Sequence, residues 1–351
     1  MKKFIGFTKI GQYRQVVRDI MHIAQYQGMD ENGEHIMNRG ADLPTIPFKG
    51  TVKLHGTNAG VAMDGDGEMW YQSRKGIITP TKDNAGFAFF AESSKAIFTK
   101  FFEEIRYNAL LTDGQTIVIF GEWCGGNIQK GVAINGLDKM FVIFAVKVVP
   151  VDDEEPNYYI HENNWEDCKS PADRIYNIND FEYKTIDIDF NNPELSRNTM
   201  IDIMSEVEKE CPVGKAFGRK LDEDDTTGEG NVWVGWYNNV RHIFKVKGEK
   251  HSVSKVKVLA PVDIEKINSI NSFVEFTVTE NRLNQGIEQV FTTESKTPDM
   301  KTTGDFLKWM VNDILSEEMD TLVGNNLEPN DVKKSISIAA RKWYFNYIET
   351  M

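Results

Sequence analysis

Apolar residues along the 351-residue chain change period several times, and each change predicts a different kind of element. In "QYRQVVRDIMHIAQYQG" (12–28) Val, Ile and Met return every three or four positions, the spacing of a helix face. The runs "GVAM" and "EMWYQS" are short and rich in strand formers, and "DGDG" between them is a hairpin signal, so residues 45–75 read as strand, turn, strand. Between 86 and 110, "GFAFFAESSKAIFTKFFEEIRYNAL" sets Phe and Ile three and four apart and predicts one amphipathic helix. "QTIVIFGEW" and "KMFVIFAVKVV" are β-branched and aromatic runs, hence buried strands. "NVWVGWY" and "HIFKVKG" form a further strand pair. Beyond about residue 260 helical spacing takes over: Phe306, Met310 and Ile314 share one stripe, and Val332, Ile336, Ala340 and Trp343 another. The pattern predicts an α+β fold, with antiparallel sheets and flanking helices over 1–259 and a smaller, mainly helical domain over 260–351. The division is expected near "LAPVD" (259–263), where a proline interrupts the strand pattern.

Composition narrows the class. With 40% hydrophobic and 26% charged residues, the chain has material for two cores. Its longest apolar run, "MFVIFAVKVV", is broken by Lys147 and falls short of the roughly 18 residues of a spanning helix, so no membrane segment is expected. The start lacks the apolar centre of a secretory signal, which predicts a cytoplasmic protein. Cys124, Cys168 and Cys211 make no Cys-x-x-Cys pair, so neither a disulfide framework nor a zinc ribbon is supported. A net charge of −13 argues against indiscriminate coating by nucleic acid. Positive charge is local, in "KVKGEKHSVSKVKV" (245–258), and any polyanion is expected beside it. Acidic runs lie at 151–156 ("VDDEEP") and 221–230 ("LDEDDTTGEG").

One stretch changes the picture further. A lysine near a strand end is ordinarily solvated, but in "TVKLHGTNAG" (51–60) Lys53 is followed by His55, by Gly56, which permits close backbone approach, and by the hydrogen-bonding Thr57 and Asn58. That resembles a phosphate-handling corner. "KLHGTN" resembles the nucleotidyl-acceptor signature Lys-x-His-Gly-Thr-Asn of the covalent nucleotidyltransferases. Within them it is most similar to the RNA ligases related to bacteriophage T4 RNA ligase 2 and the trypanosome RNA-editing ligases. The resemblance continues in order through "SRKG" (73–76), "FGEWCGGNIQKG" (120–131), "MFVIF" (140–144), "EGNV" (229–232) and "KVKGEKHS" (245–252), and covers roughly 45–257.

The resemblance implies the nucleotidyltransferase (ATP-grasp-like ligase) fold, ATP with magnesium or manganese as cofactors, and RNA ends, a nicked duplex above all, as substrate of a monomeric, bacteriophage-like RNA repair enzyme. It implies that Lys53 attacks the α-phosphate of ATP and carries AMP as a phosphoramidate, with His55 assisting. Glu122 would contact the ribose, Phe144 stack on adenine, and Asn58 and Arg74 orient ribose, phosphates or the RNA end. Glu229 would bind metal, and Lys245 and Lys247 would grip the α-phosphate and leaving group. Lys245 and Lys247 alternate with Phe244 and Val246, which puts both lysines on one side of a strand. The attacking amine must be neutral, and roughly one free lysine in two thousand is so at pH 7, so neighbouring cations are expected around Lys53.

Rivals share parts of this pattern. DNA ligases and RNA capping enzymes use the same lysine chemistry, but they usually carry Lys-x-Asp-Gly or an OB-fold after the last lysine motif, where this chain predicts helices. A non-catalytic RNA-end-binding protein would not need the nucleophile. "GGNIQKG" fails as a P-loop because Gly131 stands where Ser or Thr is required.

Overall fold

The computed structural model describes residues 2–31, 33–38, 41–83, 85–193, 195–220, 227–248, 266–292 and 297–350. The acidic run at 221–226, the lysine-rich stretch 249–258 and the proline segment 259–263 lie outside the described residues. Two compact units are present, Met1–Gly248 and Glu249–Met351.

In the first unit, α1 (Tyr13–Gln25) leads to the small hairpin β1 (Tyr26–Met29) and β2 (His35–Met37). β3 (Thr45–Val52), β4 (Thr57–Met63), β5 (Met69–Ser73) and β6 (Ile77–Ile78) follow, then α2 (Phe87–Ser93), α3 (Lys95–Asn108), β7 (Thr116–Cys124) and β8 (Met140–Val149). The stretch that no motif covered folds as β9 (Tyr158–Tyr159), β10 (Ile175–Asn177), β11 (Lys184–Asp189), α4 (Leu195–Lys209) and α5 (Pro212–Ala216), and β12 (Gly230–Tyr237) and β13 (Val240–Lys247) close the unit. Two sheets result. The larger has the order β10-β8-β7-β4-β5-β6 with β9 beside β8, and the smaller β11-β3-β12-β13. Strand pairing is antiparallel except between β10 and β8.

The single helix expected over 86–110 is two. Ser94 stands outside helical geometry at φ −100° and ψ 14°, and its N–H folds back on the carbonyls of Phe90 and Ala91. Serine offers the backbone local alternatives to helix bonds, so a Ser-Ser pair is a natural break. Both halves still bury their aromatic face, Phe87 in α2 and Phe98, Phe101 and Phe102 in α3, on the outer side of the larger sheet. The smaller sheet is covered by α1 and α4 through Val16, Ile20, Met200, Phe48, Trp233 and Phe244. A third cluster joins the sheets, with Val52 and Leu54 from the end of β3 against Cys124, Met140 and Val142. All three cysteines are free and buried, as their spacing suggested.

The N-terminal segment stitches the sheets. Ile5 exchanges two hydrogen bonds with the buried Gln72 side chain on β5, and Lys147 on β8 donates to the Gly6 carbonyl at 2.9 Å. Farther on, Gly11 pairs in parallel with Phe244 of β13.

The second unit is helical: α6 (Lys266–Thr277), α7 (Glu280–Ile287) running into a π turn at Glu288–Thr292, α8 (Thr303–Glu317), α9 (Met319–Gly324) and α10 (Pro329–Glu349). The predicted stripes form its core, with Phe306, Met310 and Ile314 meeting Val332, Ile336 and Ala340. On α10 it is Tyr344 that is fully buried, while Trp343 packs at the margin.

Candidate active site

β3 belongs to the smaller sheet and β4 to the larger, so Lys53–Gly56 is the step from one sheet to the other. The step is tight. A Cβ on Gly56 would lie 2.5 Å from the Trp123 carbonyl oxygen and 2.7 Å from Cys124 Cβ, so only glycine lets the chain cross over the end of β7. The Lys53 N–H is held by the Gly230 carbonyl at 2.8 Å. Gly230 has φ +130°, and a side chain there would strike the Val246 carbonyl, which explains why the acid at 229 is followed by glycine.

These constraints converge on one carboxylate. Lys53 Nζ lies 2.5 Å from Glu229 Oε2, His55 Nδ1 3.3 Å from the same oxygen, and Lys247 Nζ 2.9 Å from Glu229 Oε1. Glu229 is 3% exposed, against 21% for Lys53 and 14% for Lys247, so the carboxylate is the floor and the lysines are the open side. Burial pushes the Glu229 carboxyl up, but the Lys53 and Lys247 ammonium groups and the His55 hydrogen bond outweigh it and hold it well below the usual range. Burial depresses Lys247, against the pull of Glu229, and Lys53 and Lys245 add like-charge repulsion. The cationic neighbours expected around Lys53 are therefore present. The group in direct contact with its amine, however, is an acid: Glu229 stands between the two lysines, where the sequence suggested only a metal ligand.

Glu122 lies on β7 directly opposite Asn58 of β4 and accepts a 2.9 Å hydrogen bond from the Gly56 N–H. Burial raises its carboxyl to about 7, opposed chiefly by Lys53 and reinforced by Glu229. Lys245 pairs with Val232 two positions before Lys247, and the alternating Phe244 and Val246 pack into the core on the other face, Phe244 fully buried, as the alternation required.

Phe144 is aimed by an irregularity. Phe120 pairs with Ala145 but Gly121 with Ile143, so Phe144 is the extra residue of a β-bulge. Phe141 and Ile143 face the helices, whereas Phe144 and Ala145 both face the opposite side. There its ring meets Phe7 edge-on at 5.1 Å, and Phe7 also packs on Phe120 and Tyr159. Phe7 was not foreseen. The one available signal was an aromatic in "KKFIGFTK" with no helical or strand partner nearby in sequence.

Arg74 does not join the cluster. It is exposed just past β5, and among the described residues it has neither hydrogen bond nor ion pair. Among the described residues no three His, Cys, Asp or Glu side chains gather as a metal cage. Glu229, whose oxygens meet Lys53, His55 and Lys247, and Glu122, close enough to feel its charge, are the carboxylates here that could face a divalent ion.

The candidate site is thus a lysine on a two-sheet crossover, floored by a buried glutamate and flanked by a second lysine from the last strand. The sequence profile of the RNA ligase family matches residues 46–247, which is more than half of the chain and spans the whole cluster, so the protein belongs to the RNA ligase family. Among solved structures, a point mutant of the Naegleria gruberi RNA ligase with AMP and manganese aligns at 15% identity over 71% of this chain and 58% of its own, with a TM-score of 0.42. A second mutant of that ligase with ATP and manganese gives 16%, 71%, 58% and 0.42, and the ligase with pyrophosphate 15%, 71%, 58% and 0.41. This chain thus matches 58% of the length of those structures. No curated protein matches it in sequence.

Proposed function

We propose that the protein is an ATP-dependent RNA ligase that joins a 5′-phosphate to a 3′-hydroxyl through a lysyl-AMP and an RNA-adenylate. The observation that carries this reading is Lys53 held at 2.5 Å from the buried Glu229, with Lys247 on the acid's other oxygen. Lys53 Nζ forms the bond to the α-phosphorus, and the bond from that phosphorus to pyrophosphate breaks. The proton lost by the amine has an acceptor in direct contact, Glu229 Oε2, to which His55 Nδ1 also donates from 3.3 Å. Lys245 and Lys247 face the charge that gathers on the phosphates and the leaving group. Phe144, against Phe7, is assigned to the adenine and Glu122, turned to Gly56, to the ribose. AMP then passes to the 5′-phosphate of an RNA end, and a 3′-hydroxyl attacks and releases it. A divalent ion held by Glu229 would neutralise phosphate charge and order the oxygens.

As substrate we assign nicked duplex RNA, and we place the enzyme in a cytoplasm as a monomer. No helix among the described residues is long and apolar enough to cross a membrane. The helical region 260–351 is assigned to RNA engagement. If residues 1–248 alone seal a nick at the full rate, that assignment is wrong. The direct test of the chemistry is incubation with α-labelled ATP and magnesium and a denaturing gel. An acid-labile labelled band is expected for the wild type and none for Lys53→Ala. Label retained by Lys53→Ala would overturn the reading.

A further inference from the structure

A cavity of about 700 Å³ opens on the opposite face of the larger sheet from Glu122, and none of the proposed chemistry uses it. Phe89, Phe90, Trp123, Lys139, Arg174 and Asp138 are in its wall. Successive residues of a strand point to opposite faces, so Trp123 stands back to back with Glu122. Trp123 also pairs directly with Thr57, four residues beyond Lys53. The cavity therefore begins where the adenylylation site ends, around the rim of the same sheet.

Its construction is firm. Phe90 lies on Trp123 with ring centroids 4.6 Å apart, and the Ala85 carbonyl accepts both from the Trp123 indole at 2.9 Å and from Lys139 Nζ at 3.0 Å. The loop forming one wall is closed on itself by bonds from Gly126 N–H to the Leu137 carbonyl and from Gly136 N–H to the Gly126 carbonyl. This is the "GGNIQKG" segment whose likeness to a P-loop was rejected. Two features then stand out. Phe89 is 67% exposed on the cavity wall that also holds the Phe90–Trp123 pair. Among the described residues neither Lys139 nor Arg174 is ion-paired with a carboxylate, in a chain of net charge −13, although Asp138 shares the rim. A single exposed Phe is unremarkable on any protein. An exposed aromatic ring beside two cations that no carboxylate pairs with among the described residues is the arrangement that binds a base by stacking and its phosphate by charge. The volume lies within the roughly 300–1,000 Å³ of ordinary ligand sites.

We propose that this cavity binds an unpaired nucleotide of the RNA strand whose end is being joined, its base on Phe89 and its phosphate between Lys139 and Arg174. The proposal rests on the RNA ligase reading. A base paired in a duplex has both faces covered, so the occupant is not one of the paired nucleotides flanking the nick but an unpaired overhang nucleotide of the same strand, beyond the duplex.

The test uses the full chain and two separate readouts. Self-labelling with α-labelled ATP is measured first and is expected to match wild type in Phe89→Ala, Lys139→Gln and Arg174→Asn. Asparagine tolerates the left-handed backbone at 174, where φ is 59°. Binding of a fluorescent RNA with a single-stranded overhang is then followed by anisotropy across salt concentrations. Phe89→Ala is expected to bind about tenfold more weakly, the loss of one base–aromatic stack, and Phe89→Trp to restore binding. Arg174→Asn should flatten the slope of log affinity against log salt by roughly 0.7, the share of one phosphate contact. Free AMP in place of RNA should show no dependence on Phe89. If all three variants bind the overhang with wild-type affinity and salt slope, or if AMP alone reproduces the Phe89 effect, the proposal is overturned. Failure of wild-type self-labelling would instead sink the ligase reading.

Discussion

Two groups of buried charge invite comparison. In the N-terminal unit Glu229 is enclosed by Lys53, Lys247 and His55; in the helical unit Arg282 is enclosed by Glu318 and Asp313, each 3.2 Å from its guanidinium, and donates to the Thr277 carbonyl at 3.1 Å. The central ion is sealed in both, Glu229 at 3% and Arg282 at 0% exposure. Their outer members differ. Among the described residues Arg282 meets two carboxylates and Glu318 is itself buried, whereas Glu229 meets two lysines that keep an open side. The helical cluster has little left to offer a ligand. The Glu229 cluster has positive charge to spare on its exposed face, which is what a triphosphate requires. Burial of charge alone therefore does not mark a site; the sign of the surplus and the side left open do.

The comparison can be broken most forcefully at its centre. Glu229→Ala leaves Lys53 and Lys247 facing each other, and lysine labelling by ATP is expected to fall by roughly two to three orders of magnitude. Labelling near the wild-type rate in that variant would make the acid a structural member like those around Arg282. In the converse change, Arg282→Ala removes the buried cation that Glu318 and Asp313 both face. It should cost the helical unit about 3–5 kcal/mol, seen as a lowered melting transition, while adenylylation by the first unit is unchanged. A simultaneous loss of labelling would deny that the two clusters are independent.

The smallest effect concerns the second acid of the site. Because Glu122 is raised from 4.5 to about 7 in the folded chain, the native state holds more protons than the unfolded chain between those values. Stability then falls as pH rises through that window, the full cost being reached above about 7. Wild type is expected to lose on the order of 2 kcal/mol relative to Glu122→Gln between pH 4.5 and 8, the shift being discounted for the residue's partial exposure. Equal pH profiles of melting temperature in the two proteins would refute this. Glu229, held low, has the opposite sign: its contribution is present above the ordinary carboxylate range and lost as pH falls through its folded value.

Period and spacing along the chain sufficed for much of this. The hairpin at β4 and β5 follows from its turn signal, the two long strands β7 and β8 from their β-branched and aromatic runs, and the stripes of α8 and α10 from repeats of three to four, which decide which side chains share a face. The same rule put Lys245 and Lys247 on one side of β13. "KTIDID" of β11 was missed because only its two Ile positions carry the apolar signal and charged residues fill the others. The break at Ser94 was missed because the apolar spacing runs through it unchanged.

What only the tertiary structure decided is which distant groups touch. Lys53 and Glu229 are 176 residues apart, and their meeting depends on the register of β12 against β3 and on a glycine at 230 that admits the Lys53 N–H. The bulge that turns Phe144, the Phe7 ring set against it, and the exposure of Arg74 likewise follow from how two sheets and an N-terminal segment close on one another. A motif specifies residue types at short range, where the chain's own geometry fixes distance. Charge, burial and access are properties of everything packed around them, and those are settled only when the sheets meet.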